Sequence, residues 1–254
     1  MIVAQDEEER LERCVASCRS FADEIVVVDG GSSDGTVETA QRLDCTVLEN
    51  PWPGFGRQRN FGAEHAAHDW VFWIDADEVV GADLARAIED WKHSEDDDRT
   101  AGLSVRRVGD FMGQWLEGKA GTLVRLYDRR RCRVAEVPVH ETVQTDGQPV
   151  TELGGTLWHY GFRSLSDHVR RFDRYTTLEA EAALESGRRF SFGRLLLRPP
   201  TRFLKELVGS RLYSNGLPGL TVCLLWVYYE LMAELKLLEL EWRRRGGQHE
   251  RAGS

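Results

Sequence analysis

Short apolar runs alternate with more polar, helix-like segments through the first third of the chain. The run EIVVV at residues 24–28 is rich in β-branched side chains and is typical of a strand buried on both faces. The pattern predicts strands over residues 2–4, 24–28, 46–48 and 70–74 and helices over residues 7–20, 36–43 and 58–67. Strands that alternate with helices predict a parallel sheet, with ligands at the carboxyl ends of the strands.

The pattern changes twice in the rest of the chain. Between residues 101 and 160 it predicts strands and turns, with strands over residues 103–105, 123–127 and 137–139. Beyond residue 164 it predicts helices over residues 167–186, 201–213 and 220–244. The pair Pro199 and Pro200 is expected to separate the first two, because proline disfavours helix in the residue before it. We therefore predict an α/β domain over residues 1–163 and a helical extension over residues 164–254.

Composition and charge narrow the function. The 254 residues are 41% hydrophobic and 30% charged, which supplies enough apolar material for a folded core. The net charge of -9 argues against a protein whose main partner is a nucleic-acid backbone, because such binding needs clustered cations. Residues 186–211 depart from this balance, since seven cations stand there against one anion, Glu206, for a local charge of +6.

Neither export nor a membrane span is expected. The five cysteines are odd in number and form no C-x-x-C pair, which favours reduced thiols in a cytoplasmic protein. The chain opens on MIVA and runs into QDEEE, so we expect no signal peptide. The apolar run at residues 217–229 is shorter than the roughly 20 residues that span a bilayer. We therefore expect a helix that lies on a membrane surface rather than one that crosses it.

Two strand ends carry carboxylates suited to a nucleotide. Asp75 and Asp77 follow the strand at residues 70–74, and carboxylates so spaced can hold a divalent cation against a diphosphate. Asp29 opens the turn DGGSSDG, where it can accept hydrogen bonds from a base or a ribose. Ordinary acidic turn residues are the alternative at both places. The chain has neither G-x-G-x-x-G nor G-x-x-x-x-G-K-[ST], which argues against a dehydrogenase and a P-loop ATPase.

Several motifs, in one order and spacing, resemble a known family. They are VVDGGSSDGT at residues 27–36, RN at 59–60, WVFWIDADE at 70–78, VHE at 139–141 and HY at 159–160. The set resembles family 2 glycosyltransferases with a GT-A fold, and more narrowly the branch that includes bacterial lipopolysaccharide-core glucosyltransferases. The resemblance implies a Rossmann-like, mainly parallel α/β sheet that binds a nucleotide sugar within residues 1–163.

The resemblance also implies roles for individual residues. The residues expected to contact the nucleotide sugar are Glu7, Asp29, Arg59 and Asp75. Of these, Asp29 is expected to bind the uracil or ribose, and Asp75 to approach the ribose. Asp77 is expected to ligate a divalent metal, Mg²⁺ or Mn²⁺. Asp6, next to Glu7, stands where the family has an asparagine.

Glu141 is the candidate catalytic base. In an inverting transfer the acceptor hydroxyl attacks the anomeric carbon from the face opposite the departing diphosphate, and a carboxylate must take its proton. A structural carboxylate paired with an arginine is the alternative. His140 and His159 are candidate metal ligands or donors to such ligands, and Lys119 and Arg125 are candidate contacts to the diphosphate or to an acceptor phosphate. Structural histidines and surface cations are the alternatives for these four.

Beyond residue 216, large apolar side chains recur at helical spacing. They are Leu217, Leu220, Leu224, Val227, Leu231, Leu235 and Leu238. Together with the cationic residues 186–211 they predict a helix that lies on an anionic membrane surface. A core or dimer helix is the alternative.

These inferences combine into one hypothesis: a metal-dependent, inverting glycosyltransferase. It would move a hexose, glucose, from UDP-glucose to a lipopolysaccharide-core or other lipid-linked acceptor at the inner face of the cytoplasmic membrane. One alternative is a sugar nucleotidyltransferase, which needs a glycine-rich basic loop where this chain has DEEE at residues 6–9, a run that would repel a triphosphate. The other is a non-catalytic nucleotide-sugar-binding membrane protein, which would tolerate loss of Asp77 or Glu141, and both are present.

Overall fold

The structure, a computed structural model, describes residues 1–94, 100–137 and 141–252, with side chains described as far as residue 244. The chain forms two compact units. The first unit comprises Met1–Gly109 and Ala120–Gly161, and the second comprises Asp110–Lys119 and Phe162–Ser254. The domain limits 1–163 and 164–254 stay a prediction, because compactness alone does not establish which parts fold independently.

Strands and helices make up most of the chain. The strands are β1 Ile2–Ala4, β2 Val26–Asp29, β3 Thr46–Glu49, β4 Trp70–Phe72, β5 Ile74–Asp75, β6 Glu78–Val80, β7 Gly102–Phe111, β8 Gln114–Trp115, β9 Gly121–Asp128, β10 Arg133–Val134, β11 Val143–Gln144 and β12 Val150–His159. The helices are α1 Glu8–Cys18, α2 Thr36–Arg42, α3 Phe55–His65, α4 Ala82–Lys92, α5 Leu165–Glu185, α6 Phe192–Leu204 and α7 Gly216–Ala252. Shorter turns are 3₁₀ at Glu117–Lys119 and Leu212–Asn215, and π-helical at Lys205–Gly209.

Four strands of the first unit form a parallel sheet in the order β3-β2-β1-β5. Val26, Val27 and Val28 are all buried, as expected for a strand covered on both faces. Because the strands run in the same direction, their carboxyl ends meet at one edge. The predicted parallel sheet is confirmed, and Asp29 and Asp75 end two of its strands.

A second, mixed sheet of the first unit has the order β4-β9-β7-β12-β6, and β8 pairs with the last two residues of β7 within the second unit. Strands β7 and β12 are parallel, and the other pairs are antiparallel. Strand β12 and the helix α4 that packs on it carry no individual prediction from the sequence pattern. The pattern also predicts a strand over residues 137–139, but Val137 lies in no strand, and the other two residues fall outside the described part of the chain.

The single strand predicted over residues 70–74 is wrong. The segment forms two strands in different sheets: β4 pairs with β9, and β5 pairs with β1. The backbone N–H of Trp73 still donates to Arg125 of β9 at 2.9 Å, whereas the N–H of Ile74 donates to Met1 at 3.1 Å. The chain therefore changes partner strand within one residue, and Asp75 is delivered to the parallel sheet.

The predicted break at Pro199 and Pro200 is also wrong. Helix α6 begins after Ser191, whose side chain accepts from the N–H of Arg194, and continues through both prolines to Leu204. Each proline removes one N–H donor from a helix. Packing compensates for this loss, because Pro199 is buried and α6 lies along α7.

Helix α7 is longer than the apolar run that predicted it. Among the described residues, the stretch Leu212–Arg244 is the one that is long and apolar enough to cross a membrane, by length and composition only. The expectation that no stretch of sufficient length exists is therefore wrong. The reason is that the helix continues past residue 229 with further leucines between its glutamates.

Candidate functional site

The carboxyl edge of the parallel sheet brings the predicted nucleotide residues together. Strand β1 lies between β2 and β5, and its register places Ala4 opposite Asp29 on one side and Val3 opposite Asp75 on the other. Neighbouring strands are about 4.8 Å apart, so the two aspartates lie on strands separated by about 10 Å. The two predicted nucleotide contacts therefore end strands on either side of β1.

Asp29 is buried and shapes the turn that follows it. Its Oδ2 accepts hydrogen bonds from the backbone N–H groups of Gly31 at 2.8 Å and Ser32 at 2.9 Å, and its Oδ1 accepts from the Ser32 hydroxyl. Gly31 has φ +96°, a left-handed conformation that side chains other than glycine rarely adopt. Asp29 therefore organises the loop at the sheet edge, and its role as a contact to the base or ribose stays a prediction.

The loop after β1 is tied to the loop after β2. Asp6 accepts from the backbone N–H of Ser33 at 2.7 Å, and the Asp6 N–H donates to the Ser32 hydroxyl at 2.9 Å. Glu7 sits directly before α1, and its N–H donates to the Thr36 hydroxyl at 2.9 Å. The Asp6 side chain therefore holds the two loops together through an oxygen that accepts from Ser33.

Arg59 is the centre of the site. It is buried on α3, and its Nη2 donates to Asp75 Oδ1 at 2.7 Å while its Nη1 donates to Glu141 Oε1. Its guanidinium carbon lies 4.1 Å from the ring centroid of Trp73. Burial alone would lower the pKa of Arg59, but the charges of Asp75 and Glu141 outweigh burial and raise it. One cation thus holds a predicted ribose contact and the predicted base together.

Asp75 contacts a buried network of charged side chains. Glu78 is fully buried and accepts from Arg107, from Arg125 at 2.7 Å and from the Asp75 N–H at 3.0 Å. Arg125 is also 3.8 Å from the second oxygen of Asp75. Burial alone would raise the pKa of Asp75, but Arg59 and Arg125 outweigh burial and hold it below its usual value. Asp75 therefore stays ionised in the folded protein.

Asp77 faces a different group of side chains. Its Oδ2 is 3.2 Å from His159 Nε2 and 3.9 Å from Arg10 Nη1, and Arg10 also lies 3.8 Å from Glu7. The pairing of β6 with β12 places His159 opposite Glu78, which brings its ring beside Asp77. Within the residues that the structure describes, no set of three His, Cys, Asp or Glu side chains is arranged to hold a metal. The two candidate ligands that do converge are Asp77 and His159.

Glu141 follows immediately after residues 138–140, which fall outside the described part of the chain, so the candidate His140 cannot be placed. The Glu141 side chain is 12% exposed and reaches Arg59 through Oε1. The ion pair fixes the direction of the carboxylate and leaves Oε2 as the oxygen that could take a proton. The structure thus joins the candidate base to the sheet edge that ends in Asp75.

The comparisons with known proteins agree with this geometry. The family model described as Glycosyl transferase family 2 matches residues 1–156, more than half of the chain. The chain belongs to this glycosyltransferase family.

Two relatives cover nearly all of this family 2 glycosyltransferase. A Rickettsia typhi protein described as an uncharacterized glycosyltransferase is 27% identical over 255 residues, which cover 96% of this chain and 87% of the relative. The lipopolysaccharide core biosynthesis glycosyltransferase LpsC of Rhizobium meliloti is 28% identical over 252 residues, 94% of this chain and 90% of the relative. The predicted resemblance to the lipopolysaccharide-core branch is confirmed.

A solved structure confirms the fold. Glucosyl-3-phosphoglycerate synthase from Mycobacterium tuberculosis, in complex with Mn²⁺, UDP-glucose and phosphoglyceric acid, superposes with a TM-score of 0.52 at 16% identity, over 75% of this chain and 79% of that chain. At this identity the likeness concerns the fold alone. The family 2 glycosyltransferase therefore has the predicted GT-A fold, with a C-terminal helical part.

Two positively charged candidates of this glycosyltransferase have structural partners. Arg125 is buried, and its guanidinium carbon lies 3.6 Å from the Trp73 ring centroid. Its charge stabilises the nearby Asp75 carboxylate. Lys119 belongs to the second unit, where it pairs with the buried Glu206 and lies 4.6 Å from the Trp226 ring centroid. Burial lowers the pKa of Lys119, and Glu206 opposes that shift. Contact of either cation with phosphate stays a prediction.

Four residues of the site were not assigned a role from sequence. They are Arg10, Trp73, Glu78 and Arg107. Glu78 extends the D-x-D motif by one residue, and this adjacency is the signal that could have flagged it. Arg10 occurs one helical turn after Glu7, a spacing that places both on one face of α1. Arg107 and Trp73 carry no comparable signal, because their partners lie far along the chain.

Proposed function

We propose that this protein transfers glucose from UDP-glucose, with inversion, to a lipopolysaccharide-core or other lipid-linked acceptor. The observation that carries the proposal is the pair of bonds from Arg59, which joins Asp75 at the nucleotide edge to Glu141. A nucleotide contact and a proton acceptor held by one buried cation suit a reaction at the bond between diphosphate and sugar. A structural carboxylate would form the same ion pair with Arg59, so the turnover of Glu141→Gln distinguishes the two roles.

The donor would lie along the carboxyl edge of the parallel sheet. Asp29 and Glu7 would face the base and ribose from the two loops that Asp6 ties together, and Asp75 would approach the ribose from the other side of β1. Arg10 and Arg59 supply positive charge near the position expected for the diphosphate. Their charges are already balanced by Glu7, Asp77, Asp75 and Glu141, which keeps the loops in place without the donor.

Asp77 and His159 would hold a divalent cation, Mg²⁺ or Mn²⁺. The two side chains fit this role, because a carboxylate oxygen and an imidazole nitrogen converge at 3.2 Å. Two protein ligands are sufficient when substrate phosphates complete the coordination, as is usual for Mg²⁺ sites. When bound, the metal would neutralise the charge that develops on the leaving diphosphate.

Glu141 would act as the base. Its Oε2 would take the proton of the acceptor hydroxyl as that oxygen attacks the anomeric carbon from the face opposite the diphosphate. Arg59 would keep the carboxylate in one orientation throughout. Attack from the opposite face of an α-linked donor yields a β-glycoside.

The acceptor and location rest on the relatives and on the second unit. LpsC is by its description a lipopolysaccharide core biosynthesis glycosyltransferase, and it aligns with 94% of this chain. A lipid-linked acceptor would draw the enzyme to the inner face of the cytoplasmic membrane, as a peripheral protein. The family membership favours this function over a sugar nucleotidyltransferase.

A thermal-shift panel of UDP-glucose, UDP-galactose, GDP-mannose and dTDP-glucose, with and without Mn²⁺, tests the proposal. A ligand at 100 times its Kd stabilises the fold by about 2.7 kcal/mol. We expect the largest shift with UDP-glucose and Mn²⁺ together. Equal melting temperatures with all four nucleotide sugars would overturn the proposed donor, and a shift with UDP-glucose that is identical without Mn²⁺ would overturn the metal.

A further inference from the structure

Helix α6 in the second unit places its arginines beside side chains of α7 and leaves several large apolar side chains exposed. Surface helices of soluble proteins bury an apolar stripe and expose their charges. Here the arginines contact α7, while Phe192, Leu196 and Leu197 are 66%, 57% and 67% exposed. Large apolar side chains exposed side by side favour an environment that is more apolar than water.

The inward side of α6 is an ion-paired seam. Arg194 lies 3.0 Å from Glu234, and Arg198 lies 3.7 Å from Glu230, so the two helices run antiparallel in a regular register. One turn further, the Arg202 guanidinium carbon stacks 4.0 Å from the Trp226 ring centroid. The charge of these arginines predicts contact with anionic lipid. Their carboxylate and aromatic partners give them a different role, which is to attach α6 to α7.

The outward side carries a set of exposed apolar residues, here called the α6 face. Its members lie on α6 and on the π-helical turn that follows it: Phe192, Leu196, Leu197, Leu204 and Val208. Further exposed apolar side chains follow immediately in sequence, on the last 3₁₀ turn and the first turns of α7: Tyr213, Leu217, Leu220 and Leu224. Exposed apolar groups on this scale mark an interaction surface.

The charges around the α6 face select its partner. Glu206 is the one carboxylate in residues 186–211, and it is buried in ion pairs with Lys119 and Arg202. Arg189, Lys205 and Arg211 are exposed, and no ion pair involves them among the described residues. The exposed surface of the segment is thus apolar and cationic without an exposed anion, which is complementary to an anionic bilayer and repels a second copy of itself.

We propose that the α6 face docks on an anionic lipid surface by inserting its apolar side chains into the interface, with Arg189, Lys205 and Arg211 against the headgroups. The inference deepens the proposed location of the enzyme at its lipid-linked acceptor. It assigns the main binding contribution to apolar insertion, and not to the arginines of α6. A helix with an apolar side and cationic neighbours is the usual form of such an interfacial anchor.

Co-sedimentation of the full chain with vesicles of phosphatidylethanolamine and phosphatidylglycerol tests the proposal. The variant L196S/L197S/L204S should lose about tenfold or more of vesicle partitioning, because it removes three inserted side chains. A matched control is Leu165→Ser, which replaces another exposed leucine of the second unit, at the start of α5, and should bind as the wild type does. The single variant Leu197→Ser should fall between them. Circular dichroism should be unchanged in all, because each of these leucines is exposed.

Salt separates the two contributions. At about 1 M NaCl the Debye length falls to about 3 Å, so headgroup attraction is screened while apolar insertion is not. Wild-type binding should therefore fall but persist, and R189S/K205S/R211S should show little further dependence on salt. Complete release of the wild type by salt would overturn the proposal, as would equal partitioning of the wild type and the triple leucine variant. A wild-type dimer that the triple variant converts to monomer, without vesicle binding, would assign the face to a second copy instead.

Donor binding distinguishes failure of this inference from failure of the proposed function. Titration of UDP-glucose into the lipid-free triple variant should give the wild-type affinity, because the α6 face takes no part in the donor site. Loss of vesicle binding with normal donor binding supports the lipid-docking role. Absence of donor binding in the wild type, with intact vesicle binding, would remove the proposed glucosyl transfer and leave the docking surface standing.

Discussion

Folded proteins usually bury apolar side chains and expose charged ones. The sheet edge of the first unit and the α6 face of the second both depart from this rule, in opposite ways. At the sheet edge, charged groups are buried: Glu78 and Arg125 are almost inaccessible to water, and each is balanced by an oppositely charged neighbour. On the α6 face, large apolar groups are exposed. Burying a charge and exposing a leucine both cost free energy, and a folded protein retains such arrangements where a ligand or a surface uses them.

The two regions differ in how their residues depend on one another. Each buried charge of the first unit needs its partner, so removal of one leaves another uncompensated. The exposed leucines of the second unit need no partner within the chain. Substitutions should therefore damage stability in the first region and leave stability unchanged in the second.

The largest expected effect is the loss of stability on replacing Glu78. Replacement by alanine leaves Arg107 and Arg125 with a missing countercharge in a buried setting and should lower the free energy of unfolding by about 3–5 kcal/mol. Urea denaturation of Glu78→Ala beside L196S/L197S/L204S measures the contrast directly. If the leucine variant lost as much stability as Glu78→Ala, the distinction between the two regions would be wrong.

Glu141→Gln separates chemistry from stability within the first region. The amide keeps the shape of the side chain but cannot take the acceptor proton, so turnover should fall by about 10²–10⁴. Affinity for UDP-glucose should stay close to that of the wild type, as calorimetry can establish. The matched control is Glu64→Gln, an exposed carboxylate on the same helix as Arg59, which should keep full turnover. Transfer at the wild-type rate by Glu141→Gln would return Glu141 to a structural role and make Asp146 the next candidate.

Asp77→Asn is expected to have a smaller effect, which concerns UDP-glucose affinity in the presence of a divalent metal only. The change removes charge but little volume, so the metal-dependent part of UDP-glucose affinity should be lost, by about tenfold or more, while affinity without metal changes little. Calorimetry with and without Mn²⁺ measures both parts. Asp44→Asn, at an exposed position after α2, is the control. His159→Gln should reproduce the Asp77→Asn result if the two side chains share the cation.

The smallest expected effect is a pH dependence in the second unit. His168 packs among Phe111, Phe162 and Phe172, and burial lowers its pKa from 6.5 to about 4. Because the folded state disfavours the proton, the stabilisation is complete above about pH 6.5, decreases as the pH falls below that value and levels off near pH 4. The loss should be about 1 kcal/mol, after allowance for partial solvent exposure.

Urea denaturation between pH 7 and pH 4.5 checks this prediction. His168→Gln carries no titrating group, so its stability should fall less over this range than that of the wild type. Asp75 contributes in a separate window: its lowered pKa stabilises the fold above its unfolded value of about 3.9, and the contribution is lost as the pH falls further. Parallel stability curves for the wild type and His168→Gln would contradict the assignment.

Local sequence predicted the strands of the parallel sheet and the carboxylates at their ends. The buried β-branched run at residues 26–28 is specified by the residues it contains, and Asp29 follows it directly. The division of the segment around Trp73 between two sheets was not predictable, because it depends on Arg125 and Met1. The link between Arg59 and Glu141 joins residues that share no local pattern. The polarity of α6 was misread for the same reason, since its arginines reveal their role only through glutamates on another helix.

The Arg59 to Glu141 bond has a consequence for the order in which the protein folds. The two residues are 82 positions apart. Closing a loop of that length costs about 4 kcal/mol of chain entropy, which the bond alone does not recover. The pair can therefore form only after the strands between its members have come together, late on the folding route. During refolding from urea, far-ultraviolet circular dichroism should recover first, and the capacity to bind UDP-glucose should return in a slower, later phase.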